Sequence, residues 1–192
     1  NPVALQIGCS DPILAQKAAK IFSKEKFQEI NINCGCPSNK VVNGNFGACL
    51  MKEPKKVGKM ITAIREETDI PITIKTRIGL DNFDTDNFLE EFISELYTRN
   101  VKTVIIHARI AILSGLSPHE NRTIPPLNYD RVKRIKKIFN EMDIIINGGV
   151  KNLLEAKWHL NSFDGSMIGR AAWDNPWMFS EADELFYNDK NN

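Results

Sequence analysis

A thiol just past the end of a strand, in a glycine-rich loop, is placed to do chemistry, and Cys36 has that setting. It lies in E-I-N-I-N-C-G-C-P-S-N-K-V-V-N-G-N-F-G-A-C-L-M, residues 29–51. Residues 27–33 alternate as a buried strand does, with the β-branched Ile30 and Ile32 on one parity. Gly35 and Pro37 then break the strand, the first by its conformational freedom and the second by its missing N–H. The loop that follows reads as too polar for core and too long for a plain connector, which marks it as functional. An unperturbed thiol, with a pKa near about 8.5, is mostly protonated at neutral pH and can serve as a general acid. Buried cysteines are also common spectators, and Cys34 and Cys49 compete for the role. A zinc site needs four well-placed ligands, which Cys34 and Cys36, with one residue between them, do not begin to supply.

Other reactive or binding groups fall at the ends of apolar runs. Lys75 and Arg77 close one run, and His107 follows Val104-Ile105-Ile106, with Arg109 just beyond. Asn147-Gly148-Gly149 and Gly169-Arg170 close the last two runs. Glycines there let backbone N–H groups approach phosphate oxygens, and Arg170 adds a charged fork. Each has a plainer reading: a solvated lysine, a hydrogen-bonded structural histidine, a common Gly-Gly turn. His159, in the middle of a helical stretch, is expected at the surface. The run Arg131-Val132-Lys133-Arg134-Ile135-Lys136-Lys137 is either a solvated helix face, the commoner case, or a phosphate-contacting one.

The elements that must position these groups repeat as strand then helix. Strands are expected at 3–7, 27–33, 72–77, 103–108, 143–147 and 165–168. The first helix should start at Asp11-Pro12, since proline suits the first helical position, and present Ile13, Ala18, Ile21 and Phe22 as its apolar face. Further helices are expected at 55–68 (Val57, Met60, Ile61, Ile64 inward), 85–99 (Phe88, Leu89, Phe92, Leu96 inward), 129–139 and 151–160. Such alternation gives a parallel sheet with right-handed crossovers. A doubly wound sheet and a (β/α)₈ TIM barrel both fit it. Polar or glycine residues at every strand end (Gln6, Asn33, Lys75, His107, Asn147, Gly169) favour the barrel. Six of eight βα units are present.

Composition sets wider bounds. The 192 residues are enough for one sizeable core, and 42% hydrophobic with 26% charged residues is ordinary for a globular domain. A net charge of +1 does not announce a nucleic-acid binder. No apolar run approaches membrane-spanning length. Four cysteines without regular spacing argue for a reducing compartment, hence the cytoplasm, and against a disulfide framework. The chain begins on Asn1, so an upstream targeting segment stays open. The Asn/Lys tail, 187–192, is expected to be disordered.

The loop around Cys36 is joined by I-K-T-R-I-G (74–79), I-I-H-A-R (105–109), L-S-G-L-S-P-H-E-N-R-T-I-P-P-L (113–127), I-N-G-G-V (146–150) and M-I-G-R-A-A (167–172). In that order, and across nearly the whole chain, these blocks resemble the tRNA-dihydrouridine synthases. The S-G-L-S-P-x-E-N-R-x-I-P-P-L block is similar to the A-type branch, which modifies U20 and U20a of the D-loop. The resemblance implies a TIM-barrel catalytic domain, here 1–186 with a polar tail at 187–192. It places the barrel's first two strands before Asn1 and a helical domain beyond Asn192. It implies FMN as cofactor, NADPH as electron donor and tRNA as substrate, with no metal and no membrane. Uridine would gain a hydride at C6 from reduced FMN and a proton at C5 from Cys36.

By the same resemblance Lys75 sits beside the pyrimidine end of the flavin, His107 contacts the flavin, and Gln6 hydrogen-bonds its edge. Asn147, Gly148, Gly149, Gly169 and Arg170 complete the cofactor site, the last four around its phosphate. Asn33 would lie near the substrate base, and His119 and Arg122 would face tRNA. Cys34 stands where relatives carry an apolar residue, and Cys49 matches the A-type branch alone. His119 departs from a lysine, and Ile110 and Ile112 from a basic and an aromatic residue. Two other classes compete. One is a flavin barrel acting on a free pyrimidine, such as a dihydropyrimidine or dihydroorotate dehydrogenase, against which the H-A-R and E-N-R-x-I-P-P-L blocks count. The other is a non-catalytic RNA-binding relative, against which Cys36, Lys75 and His107 count.

Overall fold

Short apolar runs bounded by polar caps produce strictly alternating strands and helices. The computed structural model describes residues 2–38, 41 and 43–189. Six strands run β1 (Ala4–Ile7), β2 (Glu29–Cys34), β3 (Ile72–Arg77), β4 (Thr103–His107), β5 (Asp143–Asn147) and β6 (Gly165–Met167). Between and after them lie α1 (Pro12–Phe22), α2 (Pro54–Arg65), α3 (Asp86–Thr98), α4 (Tyr129–Ile138), α5 (Leu153–His159), α6 (Arg170–Asp174) and α7 (Ala182–Tyr187). Helix starts are set by side-chain caps. Asp11 Oδ1 accepts from the Ile13 N–H at 2.7 Å, Thr85 from Phe88 at 3.1 Å, Asn128 from Arg131 at 3.0 Å and Asn152 from Glu155 at 2.8 Å. Each such cap contributes about 1 kcal/mol and fixes where the preceding loop must end.

All neighbouring strands pair in parallel and in sequence order, β1-β2-β3-β4-β5-β6. A doubly wound sheet reverses its order at a switch point; this one does not. Right-handed crossovers that all step in one direction put every helix on one face, which is the barrel arrangement. The fold is therefore α/β, a parallel six-stranded portion of a TIM barrel.

Residue parity then sorts the two faces. Ile30, Ile32, Cys34, Ile72, Ile74, Val104, Ile106, Ile144 and Ile146 pack toward the helices against Val57, Met60, Ile61, Ile64, Leu89, Phe92 and Leu96. The alternate positions Asn31, Asn33, Thr73, Lys75, Arg77, His107 and Asn147 take the opposite, inner face, as a two-residue period requires. A polar chain crosses it: Gln6 Nε2 donates to Asn31 Oδ1 at 2.7 Å, and Asn31 Nδ2 donates to Thr73 Oγ1 at 2.7 Å. The apolar runs of β4 and β5 split the same way, with Ile105 and Ile145 alone on the inner side.

Three expectations change. In α1 the buried residues are Ala15 and Ala19, whereas Ile13 and Ile21 are 61% and 65% exposed. Small side chains permit close packing of α1 on α2, and β1 is an edge strand with no neighbour beyond it among the described residues, so the larger apolar face stays uncovered. The loop after β2 is not uniformly polar: it contains a 3₁₀ helix, Gly47–Lys52, whose Ala48, Leu50 and Met51 are buried in the core. Tyr187 belongs to α7, and Asn188 terminates it in the left-handed conformation at φ 54°; the rest of the expected tail, 190–192, lies outside the described residues.

Ile74, fully buried in a strand paired on both sides, should cost about 2–5 kcal/mol when changed to Ala. Ile21→Ala should cost no more than roughly 0.5 kcal/mol. Urea unfolding of the two variants checks the assignment of faces; equal losses would contradict it.

Candidate active site

The inner face opens at the carboxyl ends of the strands into a cleft of about 1300 Å³. Cys36, Gln6, Asn33, Lys75, His107, Asn147, Gly148, Gly149, Gly169, Arg170 and Arg122 all line it. His119 does not; it is exposed in the same loop as Arg122. Side chains from consecutive strand ends thus converge, because Gln6 of β1 is in register with the odd-numbered, inward residues of β2 to β5, and the register puts Arg77 beside His107 and His107 beside Asn147.

Cys36 is held by its backbone. Asn33 Oδ1 accepts from the N–H groups of Gly35 and Cys36, both at 3.0 Å, and the Cys36 carbonyl accepts from the Ala48 N–H at 3.0 Å. Asn33 Nδ2 in turn donates to Gln6 Oε1 at 3.0 Å. Gly47, at φ +59°, lets the loop close on this turn, for a Cβ there would lie 2.8 Å from the Cys36 oxygen. The Cys36 thiol donates to Ser38 Oγ at 3.4 Å. Cys34 points into the helix-facing core, where burial pushes its thiol well up. Cys49 stands in the 3₁₀ helix with its thiol also raised by burial, away from the cleft lining. Of the three competing thiols, only Cys36 reaches the cleft.

Arg77 ties the loops together from below. Its Nε donates to the Gly35 carbonyl at 3.2 Å, and its Nη1 to the carbonyls of Ile110 at 3.0 Å and Asn121 at 2.8 Å. Asn121, fully buried, organises the long loop from within: Oδ1 accepts from the Ile112 N–H at 2.8 Å and Nδ2 donates to the Ile112 carbonyl at 2.8 Å. The sequence placed Asn121 in a motif but gave no hint that its amide is a loop scaffold; a buried amide in a long loop has no local signature.

Charge in the cleft is lopsided. Lys75 Nζ donates to Asn147 Oδ1 at 3.0 Å, and Asn147 Nδ2 donates to the Met167 carbonyl at 2.9 Å, which fixes the amide's orientation. Burial, then the Arg77 charge, lowers Lys75 to about 8, with Cys36 acting weakly the other way. Burial, then Arg77, Lys75, Arg109 and Arg170, lowers His107 to about 2, so its imidazole is neutral. Arg77, Arg109, Arg122, Lys151 and Arg170 line the cleft with Lys75, against the carboxylates of Glu155 and Asp174. Glu155 is already engaged by the Lys151 N–H at 2.8 Å. The balance suits an anionic ligand.

A glycine turn lies at one end of the cleft. Gly148 and Gly149 take φ +106° and +78°, and a Cβ on either would lie 2.5 Å from His107 Cδ2 or 2.7 Å from Leu127 Cδ1. Nearby, Arg170 Nη2 reaches the Arg122 carbonyl at 3.2 Å and is otherwise open to solvent. Arg109 donates to the Pro125 carbonyl, while its buried Nε has no partner among the described residues. An orphaned guanidinium N–H, a glycine cradle and a cation-rich wall together fit a phosphate-bearing cofactor. These donors are nitrogen and backbone groups, and among the described residues no three His, Cys, Asp or Glu side chains gather as metal ligands. Among the described residues, no helix is long and apolar enough to cross a membrane.

Two expectations differ here. His159 is buried, 5% exposed, with its ring edge-on to Tyr129 at 4.8 Å and beside Phe163 at 6.1 Å. A short helix at the end of the sheet turns that face inward under the glycine turn. The basic run of α4 is largely consumed within the fold: Arg131 pairs with Asp84 and Asp86, Arg134 with Glu90 at 3.2 Å, and Lys136 with Asp164 at 2.8 Å. It braces α4 against α3 and the β6 side, well away from the cleft lining.

A family model described as Dihydrouridine synthase (Dus) matches residues 1–192. The tRNA-dihydrouridine(20/20a) synthase of Shewanella oneidensis is 46% identical over 185 residues, covering 96% of this chain and 55% of that protein. The proteins of the same name from Vibrio cholerae and Escherichia coli O6:H1 are 50% and 48% identical over 188 residues, with 58% and 57% of their lengths covered. The chain thus spans somewhat more than half the length of the curated relatives it matches. Among solved structures, a mandelate racemase/muconate lactonizing enzyme from Roseiflexus sp. aligns with TM-score 0.56 at 12% identity, over 95% of this chain and 46% of that one, a likeness of fold alone. Matched along its full length by that family model and about half identical to those relatives, this chain belongs to the dihydrouridine synthase family.

Proposed function

We propose that the protein carrying this chain reduces uridine in tRNA to 5,6-dihydrouridine, with FMN in the cleft and NADPH as the electron donor. The names of its relatives point to positions 20 and 20a. The observation that carries the reading is that Cys36, alone of the competing thiols, lines a cleft that also holds Lys75, His107 and the Gly148-Gly149 cradle. Bound FMN, once reduced, supplies the hydride that goes to C6 of the base.

The chain's own residues do the rest. Gly148, Gly149, Gly169 and Arg170 receive the phosphate, and Arg109 Nε offers a further donor. Lys75, oriented by Asn147, places a positive charge where negative charge must be accommodated in a low-dielectric setting. His107, neutral and packed against Gly148, contributes a hydrogen-bonding ring without adding repulsion to the four neighbouring cations. Gln6 and Asn33 present amides beside the loop that carries the thiol. Cys36 Sγ gives its proton to C5 of uridine, and the thiolate left behind recovers one through Ser38 Oγ and solvent. The backbone clamps from Asn33, Ala48 and Arg77 hold that thiol in one place, and positional control of a general acid is worth about 10²–10⁴ in rate. Arg122 at the cleft margin, with His119 in the same loop, faces outward toward a polyanionic substrate. The exposed Arg122 and Arg170 at the cleft margin suit a base presented on a polyanionic polymer better than a free pyrimidine. Such a protein works in the cytoplasm, where tRNA and NADPH are available.

Cys36→Ala should retain FMN and its reduction by NADPH, yet lose dihydrouridine formation by at least about 10²-fold. Stopped-flow flavin reduction and mass spectrometry of the tRNA separate the two steps. Full turnover in that variant, with loss in Cys49→Ala instead, would move the acid to Cys49.

Lys75 gives a pH signature. Its folded pKa of about 8 lies below the 10.5 of an unperturbed lysine, so between those values the unfolded chain binds more protons. Stability from this group therefore rises as pH increases through that window, and the penalty of charging it is fully present below about pH 8. Relative to Lys75→Met, the flavin-free parent protein should gain on the order of 1–3 kcal/mol between about pH 8 and 10. Urea unfolding at fixed ionic strength measures it; parallel pH profiles would contradict the assignment.

A further inference from the structure

The Gly148-Gly149 turn has two residues at positive φ, and a diglycine turn left to itself samples many conformations. Its N–H groups meet no acceptor in the protein among the described residues. Yet recognising a phosphate requires those N–H groups to be aimed in advance. One contact restrains the turn: the Tyr129 hydroxyl donates to the Gly148 carbonyl at 2.7 Å. That carbonyl shares a planar trans peptide with the Gly149 N–H, so fixing the oxygen fixes the N–H in the opposite direction. The fit is close, for a Cβ on Gly149 would lie 2.8 Å from the same hydroxyl.

Tyr129 is itself immobilised. It is the first residue of α4, whose start is capped by Asn128, and the Asn128 N–H donates to the Ala108 carbonyl at 2.8 Å. Its ring meets His159 edge-on at 4.8 Å and 64°, and His159 is wedged against Trp158 at 5.1 Å and Phe163 at 6.1 Å. The far end of the turn is anchored by a reciprocal cap, Asn152 Oδ1 to the Glu155 N–H and Glu155 Oε2 to the Lys151 N–H, both at 2.8 Å. We propose that Tyr129 is a positioning residue for a terminal phosphate monoester, its hydroxyl presetting the peptide plane that receives the ligand, with His159 as the support that holds the phenol in place. Tyr129 does not itself touch the phosphate; it acts through Gly148. This rests on the cofactor reading given above.

The test compares FMN with riboflavin, which shares the ring and lacks the phosphate. In the protein carrying this chain, Tyr129→Phe keeps the ring packing and removes only the hydroxyl. It should weaken FMN by about 3- to 10-fold, the equivalent of one neutral hydrogen bond. Riboflavin affinity should stay as in the parent, and the melting temperature should fall by no more than a few degrees, the scale of one lost hydrogen bond. His159→Leu should weaken FMN in the same direction. Unchanged FMN affinity in Tyr129→Phe, or equal losses for FMN and riboflavin, would overturn the positioning role while leaving the cofactor reading intact. A parent protein that binds neither flavin would overturn the cofactor reading first, and this proposal with it.

Discussion

The arrangement of the cleft depends on one buried cation. Arg77, 4% exposed, has no carboxylate partner among the described residues and gives its hydrogen bonds to the carbonyls of Gly35, Ile110 and Asn121. Those carbonyls belong to the Cys36 turn, the segment after β4, and the turn that bears Arg122. Leaving a buried carbonyl unpaired costs about 1–3 kcal/mol, so the guanidinium and the three loops hold one another in register. Burial lowers even this arginine, to about 10, with the Arg109 and Arg122 charges acting in the same direction. A lysine there would offer a point charge in place of a planar fork and could not span the same set of acceptors.

Sheet parity makes that clamp possible. Once β2 to β5 lie side by side in sequence order, one set of alternate residues must face the helices and the other the barrel interior. Ile and Val, with Cys34 and Thr76, fill the first set. The second carries Asn33, Lys75, Arg77, His107 and Asn147, a group that no stability argument would choose. A half-buried lysine and a histidine held neutral among four cations are costs to folding, and such local conflicts concentrate at functional sites. The cost is offset by the apolar layer behind them, where nearly every side chain from Ile30 to Ile146 is sealed.

Much of this could be read from residue order. The strand positions, the Asp11-Pro12 helix start and the polar strand ends follow from period, capping and breaker residues, all of which act within a few positions along the chain. What could not be read is set by neighbours distant in sequence. Helical period in α1 selects Ile13 and Ile21 as inward, but the close approach of α2 admits Ala15 and Ala19 instead. His159 looks like a surface residue until Tyr129 and Phe163 are seen to enclose it. The basic residues of α4 invite a nucleic-acid reading, but Arg131, Arg134 and Lys136 also pair with Asp84, Asp86, Glu90 and Asp164 on other elements, which no local pattern shows. Tyr129 carries no mark in the sequence at all, since its partner is a glycine carbonyl 19 residues away.

The proposed function makes one physical claim: that the inner face between β1 and β6 holds a phosphorylated flavin, with Cys36 as the proton donor beside it. The most direct measurement is a crystal structure of the protein carrying this chain, soaked or purified with FMN. The account predicts flavin density within the cleft, its phosphate on the N–H groups of Gly148 and Gly149 and its ring alongside Lys75, with the Cys36 thiol facing the remaining open space. Density for FMN outside the cleft, or inside it with the phosphate against the Cys36 loop and the ring over Gly148-Gly149, would contradict it.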